Sequence, residues 1–468
     1  MTIAWLVVFV YAMTAIALGW RSRTDIGYWD ASRSLSASSV GLSMSASFMS
    51  VSWTLVYATE LYIQFGWHAA WLITVPWTLE LWGIYLIVRK VHTLPRFSPA
   101  EMVAATLGKH AMRLVAGCIA LVFIAWGGAE LWIAASLLSP TLGISAEHVI
   151  MLLSLLVLSY AVRGGFGAVV ATDRIQFALV LLMGGIFAVL ALAFGAGSGG
   201  EAGSWQTFIW PTGVSRPSIP LVVITLLTLL PAGVFQTDLW LRMQAAESVD
   251  AARQGTLITI GAGIVFTGLI PAVLALGVWQ KVIEASSGTE VLVTYLNALD
   301  QPVVVALLVV GLLAAAMSTV DSCAHVVAVS LGYDLLGARA GSTIRRDGQH
   351  RLLGPLITTI TIGLMTVFAL WADSLWDVFY VSGAVLTLGV VPAMLSIFWS
   401  GLREEAVVIA SLGAISVMIL RYSTQPFWGE PVWVTETGLA YIVWGMLAWI
   451  CLYGLSRLVR KQFGEHRI

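Results

Sequence analysis

The stretch LLAAAMSTVDSCAHVVAVSLGYD, Leu312–Asp334, places the hydroxyl groups of Ser318, Thr319 and Ser322 and the carboxylate of Asp321 within five consecutive residues of a largely apolar helix. At 3.6 residues per turn, one face of this helix carries Ala315, Ser318, Thr319 and Ser322, and its flank carries Asp321. A carboxylate at bilayer depth costs roughly 2.5 to 3.5 kcal/mol on insertion scales, so we expect Asp321 to face a wet cavity or an ion. Clusters made only of oxygen atoms are typical of sites for hard cations.

Composition predicts the class of protein around this helix. Of 468 residues, 59% are hydrophobic and 10% are charged, and the mean hydropathy is +0.90. These values exclude a soluble globular protein and predict an all-α polytopic membrane protein. Allowing roughly twenty residues per span, we predict about thirteen transmembrane helices. They lie near 2–20, 41–64, 67–88, 112–138, 147–162, 172–195, 218–234, 255–279, 302–335, 354–372, 376–399, 405–421 and 438–456.

The basic residues predict the orientation of these helices. When successive loops are assigned to alternate sides, only Arg216, Lys281 and Arg421 of the 24 lysines and arginines fall on the less basic side. The positive-inside rule then places the N-terminus outside and the C-terminus in the cytoplasm of a plasma (inner) membrane. The alternation also supports the count of thirteen, because one missed or additional span would disrupt it.

Several other classes of protein are disfavoured. The three cysteines, Cys118, Cys323 and Cys451, all fall inside predicted spans and form neither a disulfide framework nor a zinc-binding spacing. A net charge of -1 and the absence of a basic patch interleaved with aromatic residues argue against nucleic acid as a partner. The one candidate acid–base pair, Asp321 with His325, lacks a metal triad or an oxyanion arrangement, so we predict that the protein is not an enzyme.

Two further segments carry polar groups at membrane depth. The second span, GLSMSASFMSVSWTLVYATELYIQFG (41–66), is rich in serine between Ser43 and Ser52. Its serines are compatible with an unwound helix whose carbonyls are exposed, and equally with tight helix packing by small residues. The segment YAVRGGFGAVVATDRIQFAL (160–179) contains Asp173, which is either a helix N-cap at the cytoplasmic edge or an ion ligand.

Three motifs in these regions resemble those of the sodium/solute symporter family, which includes proline, pantothenate, sialic acid and glucose carriers. The first is the Gly-Gly-x-x-Ala-x-x-x-Thr-Asp-x-x-Gln pattern that begins at Gly164, and the second is Ala-x-Met-Ser-Thr-x-x-Ser from Ala315 to Ser322. The third is Leu-Arg-Met-Gln-Ala-Ala-Glu-Ser, from Leu241 to Ser248, which is similar to a cytoplasmic stretch of the proline-type members. The resemblance covers essentially all of the chain.

The resemblance implies a LeuT-type fold with two inverted five-helix repeats. Residues 1–40 would form a leading helix and a cytoplasmic loop. Residues 41–195 would form the first repeat, 196–217 an outer loop and 218–399 the second repeat. Residues 400–468 would add two trailing helices and a cytoplasmic tail. We also expect the protein to function as a monomer in the lipid bilayer.

The resemblance also implies a sodium site between two of these helices. The ligands of this main site would be the carbonyl groups of Ala46, Met49 and Ala315 and the hydroxyl groups of Ser318 and Thr319. A second sodium site, as in the sialic acid branch, would use Asp173, Ser318, Ser322 and position 321. Asp321 departs from the hydroxyl expected there, and its extra carboxylate would either tighten this site or pair with His325 and titrate.

The solute is expected near the midplane, where Pro231 and Gly233 allow a helix break before Gln236. The candidate wall residues are Phe48, Ser50, Ser52, Trp53, Tyr57, Trp77, Glu80 and Gln236. Proline-type members carry an aspartate at the position of Phe48, which disfavours proline as the solute.

Acidic and aromatic side chains favour a solute with a positive charge. Glu60, Glu80 and Glu130 lie in apolar surroundings, and the chain has 21 tryptophans. Together they are compatible with a site for a cationic or zwitterionic solute, although tryptophans also anchor helices at the membrane interface. We therefore predict a sodium-coupled symporter that imports a small solute, either an amino acid or a betaine-like zwitterion. The alternative is a solute sensor of the same fold.

Overall fold

The computed structural model describes residues 2–21, 28–29, 33–94, 96–197, 205–337, 350–424 and 439–463, and the regular elements in these residues are helices. The α-helices are α1 Thr2–Arg21, α2 Ala37–Phe48, α3 Ala58–Phe65, α4 Thr74–His92, α5 Pro99–Thr106, α6 Lys109–Leu142, α7 Ala146–Gly197, α8 Trp205–Ile209, α9 Ile219–Val234, α10 Thr237–Ala245, α11 Val249–Ile264, α12 Ile270–Trp279, α13 Gly288–Asn297, α14 Pro302–Ala328, α15 His350–Ala369, α16 Leu375–Val385, α17 Val391–Met394, α18 Glu404–Thr424 and α19 Ala440–Phe463. The segments Val51–Tyr57, Val265–Leu269, Val329–Leu335 and Leu386–Val390 are π-helical, and Gly66–Trp71 and Leu395–Ile397 are 3₁₀-helical.

Within the described residues, nine helices are long and apolar enough to cross a membrane, and a bent helix pair would make ten. The bent pair and three further differences separate nine from thirteen. The predicted spans 147–162 and 172–195 lie in the single run of α7. The predicted span 67–88 falls mainly on α4, and the span 354–372 falls on a shorter apolar helix, Leu353–Ala369. The count of thirteen therefore stays a prediction.

The second predicted span is broken, as its serine-rich sequence allowed. Helix α2 ends at Phe48, and the chain resumes as a helix at Val51 with its axis turned by 63°. Ser50 between them has an extended backbone and caps the second half by accepting a hydrogen bond from the amide of Trp53.

Glycine permits the sharpest turn within the long run of α7. Gly165 has a φ of +54°, and an added Cβ would lie 2.4 Å from the carbonyl oxygen of Tyr28. The amide of Phe166 donates to that same carbonyl at 2.8 Å. Only a residue without a side chain fits this approach, and the turn carries Asp173 into the interior on the following helical segment.

Helix α14 lies at the centre of the protein. It packs against α1, α2, α6, α7 and α15, and every side chain from Leu308 to Ser330 is buried. Together with the following π-helical segment it covers Pro302–Leu335, which matches the predicted span 302–335. Helices α18 and α19 pack mainly against each other at the periphery. This arrangement brings the broken helix and the hydroxyl-bearing face of α14 together.

Candidate sodium and solute site

A carboxylate from α6 accepts hydrogen bonds from the backbone amides that follow the break after α2. The amides of Val51 and Ser52 donate to Oε1 and Oε2 of Glu130 at 2.6 and 3.0 Å. In a continuous α-helix these amides would bond to the carbonyls four residues earlier. The carbonyls of Ser47 and Phe48 are thereby released from helical pairing with them.

The same effect reaches one of the predicted carbonyl ligands. The amide of Trp53, which a continuous helix would pair with the carbonyl of Met49, donates to Oγ of Ser50 at 2.9 Å. The carbonyl of Met49 is therefore free of this pairing at the break. Ala46, the other predicted carbonyl ligand on this segment, lies one turn earlier and is fully buried.

The predicted ligands on α14 lie directly beside this break. Oγ1 of Thr319 donates to the carbonyl of Ala315 at 3.2 Å and lies 3.4 Å from the carbonyl oxygen of Ser47. Ser318 and Ser43, one on each helix, both donate to the carboxylate of Asp173, at 2.6 and 2.5 Å. Oxygen atoms from two non-adjacent segments therefore converge here, at the carbonyl of Ser47; the sodium site of Ala46, Met49, Ala315, Ser318 and Thr319 stays a prediction.

Two of the residues predicted for a second sodium site, Asp173 and Ser322, contact the side chain of Arg242, which is 1% exposed. Its Nη2 lies 3.3 Å from Oδ2 of Asp173 and donates to Oγ of Ser322 at 2.7 Å. Its Nε donates to Oγ of Ser43 at 2.8 Å. A guanidinium group, a cation carried by the chain itself, therefore lies among the oxygens of the predicted second site.

Asp321 pairs with Tyr160 and Ser322, not with His325, and its role in a second sodium site stays a prediction. Its Oδ2 accepts a hydrogen bond from the hydroxyl of Tyr160 at 2.6 Å. The ring of His325, which was the alternative partner, stacks on Phe166 at 4.6 Å, and its Nε2 lies 3.0 Å from the carbonyl oxygen of Trp29. Burial of the carboxyl group is compensated by the tyrosine hydroxyl.

A cavity lies beside the break. Five of the eight predicted solute residues line it, namely Phe48, Ser50, Trp53, Trp77 and Gln236. Residues that sequence reasoning did not assign to the solute also line it: Ser47, Phe123, Trp126, Asp238, Cys323 and Phe379, with Thr319 and Ser322 from the sodium region. Gln236 lies in the cavity because α9 ends at Val234 and α10 begins at Thr237, so the helix breaks where Pro231 and Gly233 predicted.

Ser52, Tyr57 and Glu80 lie outside this lining. Ser52 donates to Glu130 through its amide and its hydroxyl group. The ring of Tyr57 packs 4.8 Å from that of Phe379, behind the cavity wall. Glu80 is buried against Gly233, where an added Cβ would overlap its carboxylate. These residues support the wall of the cavity.

Asp238 is the acidic residue of the lining, and it is 3% exposed. Its Oδ2 accepts from Oγ of Ser47 at 3.1 Å, whereas its Oδ1 is buried without a hydrogen-bond partner. Nη1 of Arg242 lies 4.0 Å from Oδ2. The signal that could have identified this aspartate was its position two residues after Gln236, in the first turn beyond a predicted helix break.

Known proteins resemble this chain along most of its length. The profile of the "Sodium:solute symporter family" matches residues 28–420. The sodium/pantothenate symporter of Haemophilus influenzae is 24% identical over 353 residues, which cover 71% of this chain and 68% of that protein. The solved substrate-bound, outward-open structure of a Na+-coupled sialic acid symporter is 16% identical, superimposes with a TM-score of 0.74 and covers 98% of both chains.

Proposed function

This chain belongs to the sodium:solute symporter family, and from that premise we propose that it imports a small organic solute with a positively charged nitrogen by alternating access. It is a sodium-coupled symporter of LeuT-type fold and not an enzyme. Amino acids and betaine-like zwitterions are the solute classes that the sequence favoured.

One observation carries this proposal: the broken helix and α14 bring free carbonyl and hydroxyl oxygens together at the wall of the aromatic cavity. Ser47 and Thr319 each line the cavity and also belong to the oxygen cluster beside it. An ion bound by this cluster would fix the positions of two residues that the solute touches. This shared wall is the physical basis on which we propose that sodium binding favours solute binding.

We propose that sodium is bound by the carbonyl groups of Ala46, Met49 and Ala315 and the hydroxyl groups of Ser318 and Thr319. One sodium ion moved inward through about 100 mV gains roughly 2.3 kcal/mol. A tenfold sodium gradient adds about 1.4 kcal/mol, so one ion supports roughly several-hundred-fold accumulation of a neutral solute.

A second sodium at Asp173, Asp321 and Ser322 would need the guanidinium group of Arg242 to move away from these oxygens. We therefore propose that the resting protein loads one sodium ion. A second ion remains an expectation that depends on movement of Arg242 during the cycle. We also propose that the chain functions as a monomer in the plasma membrane. The basic residues of its loops favour the orientation with the N-terminus outside.

The test is solute uptake into proteoliposomes with and without an inward sodium gradient, guided by a thermal-shift screen of small metabolites with and without sodium. A ligand that binds the folded state raises the unfolding temperature by mass action. A transported solute should raise it more strongly in sodium than in potassium. Binding without any sodium-driven uptake would instead identify a sensor of the same fold.

A further inference from the structure

The positive end of the helical segment after the break is already bound to a carboxylate of the chain. In LeuT-type carriers, the N-termini of half-helices point at the anionic group of the solute. Here the amides of Val51 and Ser52 both donate to Glu130, which is fully buried and also accepts from the hydroxyl of Ser52. The next amide, that of Trp53, donates to Ser50. A solute carboxylate would find these donors occupied.

The cavity lacks a cationic anchor for an anion. Among the described residues that line it, none is a lysine, arginine or histidine. The nearby guanidinium group of Arg242 donates to Ser43, Ser322 and Asp173, lies 4.0 Å from Oδ2 of Asp238, and has its side chain 1% exposed. Among the described residues of the lining, the charged side chain is the carboxylate of Asp238. The charged group that the lining presents to a solute is therefore an anion.

One oxygen of Asp238, Oδ1, also lacks a hydrogen-bond donor. A buried carboxylate oxygen without a hydrogen bond is destabilising, and Oδ1 of Asp238 is such an atom within the described residues. An ammonium group that carries at least one N–H would supply the missing donor. A quaternary ammonium group would supply charge but no donor.

The remaining walls suit the hydrocarbon part of an amine. Six aromatic residues line the cavity. The ring centroids of Phe48 and Trp77 lie 4.4 Å apart, and those of Trp53 and Phe379 lie 5.1 Å apart. Nε1 of Trp126 donates to Ser382 at 2.6 Å, so its polar edge is already bonded. Aromatic faces attract alkyl groups and cations.

We propose that the solute is a protonated primary or secondary amine, bound through N–H to Oδ1 of Asp238, and that its recognition requires no carboxylate. Glu130 occupies the position on the broken helix where a LeuT-type carrier would bind the carboxylate of an amino acid. This inference rests on the proposed function and narrows its solute class from zwitterions to amines. Import would then move two positive charges, the sodium ion and the solute.

The experiment uses the full chain, purified in detergent, in a thermal-shift titration with matched pairs of probes in sodium and in potassium. The pairs are 3-methylbutylamine with leucine, 2-phenylethylamine with phenylalanine, and butane-1,4-diamine with ornithine, and trimethyl(2-phenylethyl)ammonium tests the need for N–H. We expect at least one amine to bind in sodium, at least tenfold more tightly than its amino acid. The trimethylated compound should bind at least tenfold more weakly than 2-phenylethylamine.

Asp238→Asn should weaken binding of that amine at least tenfold, and Asp250→Asn, at an exposed aspartate outside the cavity, should leave it unchanged. The ranking of probes on the unmodified chain tests the inference even if Asp238→Asn fails to fold. The inference is overturned if any amino acid binds as tightly as its amine, if no amine binds, or if Asp238→Asn binds normally. Sodium-dependent binding of amino acids would overturn it while leaving the proposed symport intact, whereas sodium-independent binding of every probe would count against symport itself.

Discussion

Replacement of Thr319 by valine removes one proposed sodium ligand while keeping the branched shape of the side chain. Oγ1 of Thr319 donates to the carbonyl of Ala315 at 3.2 Å and lies 3.4 Å from the carbonyl of Ser47, and the residue is 6% exposed. Both contacts are long, so the folded protein should lose at most about 1 kcal/mol. The loss for the ion is larger, because an interaction with a charged group contributes roughly 1.5 to 3 kcal/mol.

At about 1.4 kcal/mol per factor of ten, this loss predicts a roughly 10- to 100-fold increase in the sodium concentration for half-maximal uptake. The assay is initial uptake into proteoliposomes at graded sodium, with sodium-dependent thermal stabilisation as the binding readout. Thr256→Val is the matched control, because Thr256 is also buried and donates to the carbonyl four residues earlier, at 2.9 Å, but lies on α11. Its sodium dependence should stay unchanged.

The reasoning is refuted if Thr319→Val folds and keeps the sodium dependence of the unmodified chain. Ser318→Ala supplies a second reading, since its hydroxyl also donates to Asp173 at 2.6 Å. It should raise the sodium requirement and also lower the unfolding temperature. Normal sodium dependence in both variants would remove the main sodium site from these helices.

Three other predictions concern ion number, backbone strain and pH. Asp173→Asn should destabilise the fold by roughly 3 to 5 kcal/mol in chemical unfolding, because the buried charge of Arg242 loses its partner. The sodium Hill coefficient of uptake by this variant should stay unchanged. A decrease in that coefficient would reveal a second ion. Gly165→Ala should lower the unfolding temperature, since its φ of +54° and the nearby loop carbonyl oppose a side chain; an unchanged unfolding temperature would contradict this account of the turn. On the loop helix α13, backbone donation from the preceding serines holds the pKa of Glu290 below its usual value. The ionised Glu290 cap therefore stabilises α13 fully above about pH 4.5. This stabilisation is lost as the pH falls through the lower pKa of the folded state. Hydrogen exchange of α13 should rise over that acidic range, and Glu290→Gln should remove the pH step; a step that persists in Glu290→Gln would assign it to another group.

The sequence by itself determined the helical, membrane-spanning class and the identity of the polar segments. Hydrophobic runs need no partner to be recognised, because each is long enough to span a bilayer on its own. The hydroxyl groups of Ser318 and Thr319 could also be identified from sequence, because polar groups in an apolar helix need a partner. A break before Gln236 was also predicted, from Pro231 and Gly233, and an unwound second span was one of two interpretations that its serines allowed, because serine, proline and glycine alter the backbone locally.

Only the tertiary structure decided which polar groups meet. Asp173 was ambiguous in sequence, and Arg242, distant in the chain, is the partner that packing placed beside it. Glu130 was a carboxylate without a role until α6 carried it to the amides of Val51 and Ser52. A carboxylate needs donors from elsewhere in the chain, and residue spacing within one helix gives no information on which helix supplies them. Asp238 faces the cavity for the same reason, because the packing of α10 against α2 and α14 fixes its direction.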